Sequence, residues 1–504
     1  MLAKPNIFCY TIKKSGRITP RKSRKIRKMR KGARKLLFSS FLFLFWFLPA
    51  SLALYFGVPA LAARLFGARG GTLLAWRNAV LFTVSLFFYG WGEPVYLFLM
   101  LAVILFNFLL GLAAATRHAR VALTAAVVFD LGILFYFKYA AFFLGALGLT
   151  VTVPQMPLGI SFYTFQALSY VADVYWGRVR ATKSPLAFGT YVALFPQLIA
   201  GPIVRYSDVE KELLTRTHRT AMIAHGTRRF VAGLGKKVLL ANPWGALFAD
   251  LTGGDGLSFT AAWLALVAFA LQIYFDFSGY SDMAVGLGEI FGFHFPENFD
   301  YPYIATSITD FWRRWHKTLS GFFREYVYFP LGGSRRGKWR TVFNLLVVWL
   351  LTGLWHGAAW NFILWGLYYF ALLVVEKFLL ARALPRIPLP LRRAGTLFCI
   401  LFGWLIFALD GSTPALSLGA LGVFAKALIG RSGLAYGNDL FDLVRHLPFL
   451  AISVLGSTPL PRKFWARFCR RRAALAVLLP LCCLLLSVCY LADASFNPFL
   501  YFRF

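Results

Sequence analysis

Apolar runs long enough to cross a bilayer recur along the whole chain. A spanning helix needs about 20 mostly apolar residues. Such runs begin near Leu36, Val80, Val95, Val121, Phe259, Thr341, Ala358, Thr396 and Ala473. Weaker ones occupy residues 157–175, 186–204, 283–293 and 416–429. The pattern predicts an all-α polytopic membrane protein with about 10 to 13 membrane helices, some short, broken or re-entrant. Trp76, Tyr89, Trp91 and Tyr96 near the ends of the early runs suit the aromatic belts of a membrane interface. Residues 310–330 read differently, as an amphipathic helix. Phe311, Trp312, Trp315, Leu319, Phe322, Phe323 and Tyr326 fall at helical spacing, with Arg313, Arg314, Lys317 and Arg324 largely opposite. Residues 207–237 are polar and basic and read as a surface loop plus a helix.

Composition supports the membrane reading: of 504 residues 59% are hydrophobic and 15% charged, where soluble domains carry roughly 25% charged residues. No polar stretch is long enough for a soluble domain and no internal repeat is evident, so residues 36–504 are expected to form one membrane domain. Its chemical core is expected at about residues 157–376. The net charge of +34 would suggest nucleic acid in a soluble protein. In a membrane protein, loops on the cytoplasmic side collect Lys and Arg, and no nucleic-acid partner is needed. Residues 1–35 hold 14 Lys and Arg and no acid. This tail is expected to be disordered, cytoplasmic and close to anionic headgroups of a cell membrane. It lacks the short apolar core and small-residue cleavage site of a secretory signal. The six cysteines show no C-x-x-C spacing, and buried cysteine is usually a small hydrophobe.

Residues 341–375 carry the chemistry. These 35 residues contain no Asp, Glu, Lys or Arg. One straight helix of that length would run about 52 Å, against a hydrocarbon core of about 30 Å. Two full crossings would need about 40 residues and a turn. The segment must break, and the breaking signal is Thr352-Gly353-Leu354-Trp355-His356-Gly357. A break at that depth survives only buried in protein or lining a wet cavity. A histidine there is a functional candidate by default; a core histidine bonded to a carbonyl is the bland alternative. Acyl transfer to a hydroxyl needs its proton removed as the oxygen attacks, which suits an imidazole near neutral pH.

His316, in Trp312-Arg313-Arg314-Trp315-His316, is a second candidate at the edge of the amphipathic helix; on spacing alone an interfacial role suits it equally. His118, His218, His225, His294 and His446 fall in loops or at span ends and are expected to be solvated. Asp276 and Asp282 border an apolar run, and structural pairing is the simpler expectation for both. Asp310, Trp312 and Trp355 complete the supporting candidates. No histidine pair has metal-binding spacing, no G-x-S-x-G elbow is present, and no phosphate-binding loop marks an ATP-driven pump.

At these residues the chain resembles the membrane-bound O-acyltransferases, and within them the branch of the alginate O-acetyltransferase membrane subunit. The resemblance rests on Leu158-Gly159-Ile160-Ser161-Phe162-Tyr163, on Phe195-Pro196-Gln197-Leu198-Ile199-Ala200-Gly201-Pro202, on residues 274–282 and 310–334, and on Trp355-His356-Gly357. It covers nearly the whole chain from Leu37 onward. It implies helices ringed around a central tunnel, with His356 as catalytic histidine and His316 as the second family histidine. It also implies acetyl-CoA as donor substrate from the cytoplasmic side, no bound cofactor, and a separate extracytoplasmic polysaccharide acetyltransferase as partner. Where the family often has His-Gly after Trp-Gly-Leu-Tyr, this chain has Tyr369-Phe370. The rival readings are a D-alanyl transfer protein of teichoic acid modification and, from another class, a transporter or scaffold without chemistry of its own. A transporter would be expected to show inverted repeats or paired broken helices.

Overall fold

The computed structural model describes residues 36–149, 151–199, 201–253, 256–409, 414–472, 474–493 and 497. The basic tail lies outside the described residues. Four long helices come first: α1 (Phe43–Phe66), α2 (Gly71–Gly92), α3 (Tyr96–Ala114) and α4 (Ala119–Ala146). Shorter ones follow, α5 (Ile160–Tyr175), α6 (Pro185–Ala193), α7 (Tyr206–Thr215), α8 (Thr220–Gly235) and α9 (Asn242–Thr252), then the long α10 (Phe259–Ile290). α11 (Ile308–Arg314) and α12 (Lys317–Phe323) lead into the pair α13 (Lys338–His356) and α14 (Trp360–Phe378). The chain continues with α15 (Leu389–Ala408), α16 (Pro414–Leu428), α17 (Asp439–Gly456), α18 (Leu460–Arg471) and α19 (Leu475–Asp493). Among the described residues no strand interrupts them.

Eight of these helices are long and apolar enough to span a bilayer: α1 to α4, α10, α14, α15 and α19. A ninth arises if α17 and the start of α18, bent by 75° at their junction, count as one span. The expected 10 to 13 included short or broken helices, and these account for the difference. The weaker apolar runs fold into α5, of 16 residues, α6, of 9, and α16, of 15. At ~1.5 Å per residue none reaches the thickness of the hydrocarbon core. α5 is buried on nearly every face. α13 begins on Lys338 and Arg340 and carries Asn344 and Thr352, so it is too polar for a plain span. α17 was hidden in the sequence by Asp442 and Arg445 within its apolar run.

α10 is the axis of the molecule: 78% of its apolar window is buried inside the protein rather than turned outward. The basic stretch 207–237 folds as α7 and α8, and α8 lies along α10 with Gly233 against Gly279. Charge then joins them. A π-helical turn at Lys236–Ala241 lets two consecutive lysines face α10. Lys236 Nζ lies 2.6 Å from Asp282 Oδ2, and Lys237 Nζ lies 2.7 Å from Asp276 Oδ1. Arg229 adds a second cation to Asp282 at 3.0 Å. Both acids are therefore structural partners, as expected for carboxylates beside an apolar run.

The loop histidines divide. His118 is exposed, and His225 and His294 are exposed and paired with Glu289 and Glu212. His446, half-buried, bonds the Asp442 carbonyl. His218 departs from the solvated expectation, with Tyr55 Oη 2.8 Å from its Nε2 and Arg77 Nη1 3.2 Å from its Nδ1. Burial, reinforced by the Arg77 and Arg216 guanidiniums, pushes its imidazole down to about 4. It stays neutral in a cluster that ties α1 and α2 to the connection before α8.

The apolar segment 341–375 breaks where its length requires. α13 ends at His356 and α14 starts at Trp360, forming a hairpin whose arms touch through backbone. A Cβ added at Gly353 would sit 2.3 Å from Phe362 O, and one at Gly366 2.5 Å from Trp349 O. Gly353→Ala should therefore lower stability by about 1–3 kcal/mol through overpacking. Thermal melting in detergent checks this against Gly132→Ala, at an α4 position with open space around it, which should hold or raise the melting temperature.

Candidate functional site

His356 closes α13 at the tip of this hairpin and is buried within the protein. Aromatic rings wall it in: Trp355 at 5.0 Å between centroids, Trp365 at 5.1 Å, Phe407 at 5.2 Å and Phe362 at 6.5 Å. Neither ring nitrogen of His356 is hydrogen-bonded to another of the described residues. Trp312 stands one ring further away, 5.5 Å from Trp365, in a cluster with Trp349 and Tyr369. These rings surround the imidazole with aromatic surface.

His316 also packs against Trp355, with a centroid separation of 5.7 Å. One indole thus touches both imidazoles. The expected continuous helix over 310–330 is broken at this point. Trp315 is extended and His316 adopts a left-handed backbone, φ 45° and ψ 53°, before α12 resumes at Lys317. The cause lies in another segment: Asn298 takes over the local hydrogen bonds. Its carbonyl accepts from Lys317 N at 3.0 Å. Its Oδ1 lies 3.0 Å from His316 Nδ1 and accepts from Thr318 Oγ1 at 2.9 Å and, more weakly, Thr318 N at 3.4 Å. An oxygen that accepts from a backbone N–H must also be the acceptor for Nδ1, so the proton of neutral His316 sits on Nδ1. Nε2 then carries the lone pair, and it is buried without a hydrogen-bond partner among the described residues.

The remaining candidates do not join the pair. Asp310 lies in the first turn of α11, accepting from Thr306 N at 3.0 Å and from Arg314 Nε at 2.8 Å. Asp276 and Asp282 bind cations on α8 and the π-turn that follows it. Three residues not singled out from sequence are close to the histidines. Asn298 orients His316. Lys138 donates from Nζ to Trp355 O, and Tyr139 donates from Oη to Leu354 O at 2.9 Å. A lysine inside the apolar run of α4 was a signal for Lys138; nothing local marks Asn298. Among the described residues no group of three or more His, Cys, Asp or Glu could hold a metal. The left-handed backbone makes a direct prediction. His316→Asn should lower the melting temperature less than a β-branched residue does, because Asn tolerates this region. His316→Val should cost on the order of 1–3 kcal/mol, read by the same melt.

Residues 178–409, which contain both histidines, match the family model described as MBOAT, membrane-bound O-acyltransferase family. The chain is 36% identical to a probable alginate O-acetylase of Pseudomonas putida, over 93% of this chain and 100% of that protein. It is 42% identical to a probable alginate O-acetylase of Azotobacter vinelandii, over 74% of this chain and 75% of that protein. It is also 37% identical to a peptidoglycan O-acetyltransferase of Helicobacter pylori, over 68% of this chain and 70% of that protein. A many-helix membrane fold, a broken intramembrane hairpin ending on His356 and full-length similarity of this kind agree: the chain belongs to the membrane-bound O-acyltransferase family.

Proposed function

We propose that this membrane O-acyltransferase moves acetyl groups from acetyl-CoA on the cytoplasmic side toward O-acetylation of a cell-surface or exported polysaccharide. The observation that carries the proposal is the buried imidazole of His356, without a hydrogen bond to another described residue, at a break in an apolar hairpin. A nitrogen of His356 takes the proton of the acceptor hydroxyl as its oxygen attacks the thioester carbonyl. The new C–O bond forms, the C–S bond breaks, and the proton passes to the leaving thiolate. The aromatic wall keeps out water that would hydrolyse the donor. His316, its Nε2 lone pair held ready by Asn298, acts beside Trp355 as the second histidine of the site.

The names of the P. putida and H. pylori relatives favour acetyl as the group and a polysaccharide or peptidoglycan as its destination. The sugar is modified by a separate extracytoplasmic transferase that takes the acetyl group from this protein. The 14 Lys and Arg of residues 1–35, with no acid among them, favour the cytoplasmic side of a cell membrane for that end of the chain.

The test is acetyl ester released by mild base from isolated envelopes. It compares cells with the wild-type gene, His356→Ala at matched membrane level, and no gene. General-base removal should cost about 10²- to 10⁴-fold, so the first alone should yield gene-dependent esters. Retained esters with His356→Ala would point instead to a scaffold without its own chemistry. Gene-dependent release of D-alanine in place of acetate would move the protein to the teichoic-acid reading.

A further inference from the structure

The end of α13 poses a problem of its own. A helix leaves its last four carbonyls without intrahelical partners, and they normally turn to water or to a left-handed glycine cap. Gly357 provides no such cap, because its backbone is extended. Its N–H reaches only Gly353 O, at 3.4 Å. The next two carbonyls, of Leu354 and Trp355, are taken by Tyr139 and Lys138, more than 200 residues away in sequence.

The supply of both donors depends on a local distortion of α4. Residues Phe135–Tyr139 form a π-helical turn. Each residue of a regular helix turns by about 100°, which would splay two neighbours apart; the wider turn lets both reach the hairpin. Lys138 Nζ also lies 3.4 Å from Ser161 Oγ on α5. No carboxylate is in ion-pair contact with it among the described residues. An ammonium inside a span without an acid is costly to keep. What it has here is the negative end of a helix, where a cation is favoured.

We propose that Lys138 is a positioning residue: its ammonium clamps the carbonyl end of α13 and so aims His356 at the reacting hydroxyl. This rests on the reading of His356 as the base.

The experiment uses full-length protein in membrane vesicles with the complete acetylation machinery. Transfer of labelled acetyl from acetyl-CoA into base-labile ester is followed for wild type, Lys138→Met, Lys138→Arg, Tyr139→Phe and His356→Ala. A reacting group displaced by about 1 Å can lose on the order of 100-fold. Lys138→Met should therefore lower kcat roughly 10- to 100-fold with KM for acetyl-CoA little changed. Lys138→Arg, which keeps a cationic donor, should recover most of the rate. Hydrogen exchange of the amides at 354–359 should quicken in the Met variant and not in the Arg variant. Wild-type kcat in Lys138→Met, a loss confined to KM, or an undisturbed tip would overturn the proposal. Should Lys138→Met fail to fold, Tyr139→Phe carries the test, since it removes a single bond from the same clamp. It should give a smaller kcat loss with a faster-exchanging tip, and unchanged behaviour there overturns the clamp equally. Activity retained by His356→Ala would sink the base assignment independently of any result at Lys138.

Discussion

A helix that ends where no water reaches must have its last carbonyls satisfied by protein, and this constraint organises the centre of the molecule. The apolar segment 341–375 is too long for one crossing and too short for two, so it turns back on itself inside the bundle. Turning back leaves polar backbone at depth, and unsatisfied backbone there costs several kcal/mol per group. The tip is held by donors from α4, by Asn361 Nδ2 bonded to Phe407 O at 3.1 Å, and by the glycine contact that brings the two arms together. His356 is the last residue before the turn. Its place is fixed by the same contacts that make the turn possible, so the stability of the hairpin and the placement of His356 share one set of interactions.

The second theme is the management of buried charge. α10 carries two acids on its buried length, and a π-turn after α8 delivers Lys236 and Lys237 to them in succession. The arrangement at α4 repeats the device with a different target, carbonyl oxygens in place of carboxylates. Buried ions of this kind contribute little net stability, because desolvation offsets attraction, but removing one partner is strongly destabilising. They hold the register of one helix against another and leave His356 free of any carboxylate bond.

Much of this was legible in the sequence. The break at residues 352–357 followed from a length of 35 residues set against bilayer thickness, and His356 from its depth. The structural pairing of Asp276 and Asp282 was also readable, since acids beside apolar runs need cations. What escaped depended on distant partners. A helix was expected across His316 because the apolar spacing of 310–330 is regular; Asn298 breaks it through bonds that no local pattern announces. His218 looks like any loop histidine until Tyr55 and Arg77 arrive from other helices. That some of the helices would be short was legible too; the runs forming α5 and α6 are apolar for burial in protein and not for contact with lipid. Lys138 was visible as a charge in an apolar run, but its role becomes apparent only beside α13.

The π-turn in α4 has a consequence for how this protein can change over time. An extra residue accommodated in one turn rotates everything beyond it by about 100° relative to an unbroken helix. A regular helix one residue shorter would hold both halves of α4 on the same faces, so the extra residue does not set the stripes turned outward. Its effect is local: deleting one residue from Phe135–Tyr139 would swing either Lys138 or Tyr139 away from the hairpin. Length at this one turn is therefore as constrained as residue identity, and substitutions along α4 should be far easier to accumulate than a single-residue gap.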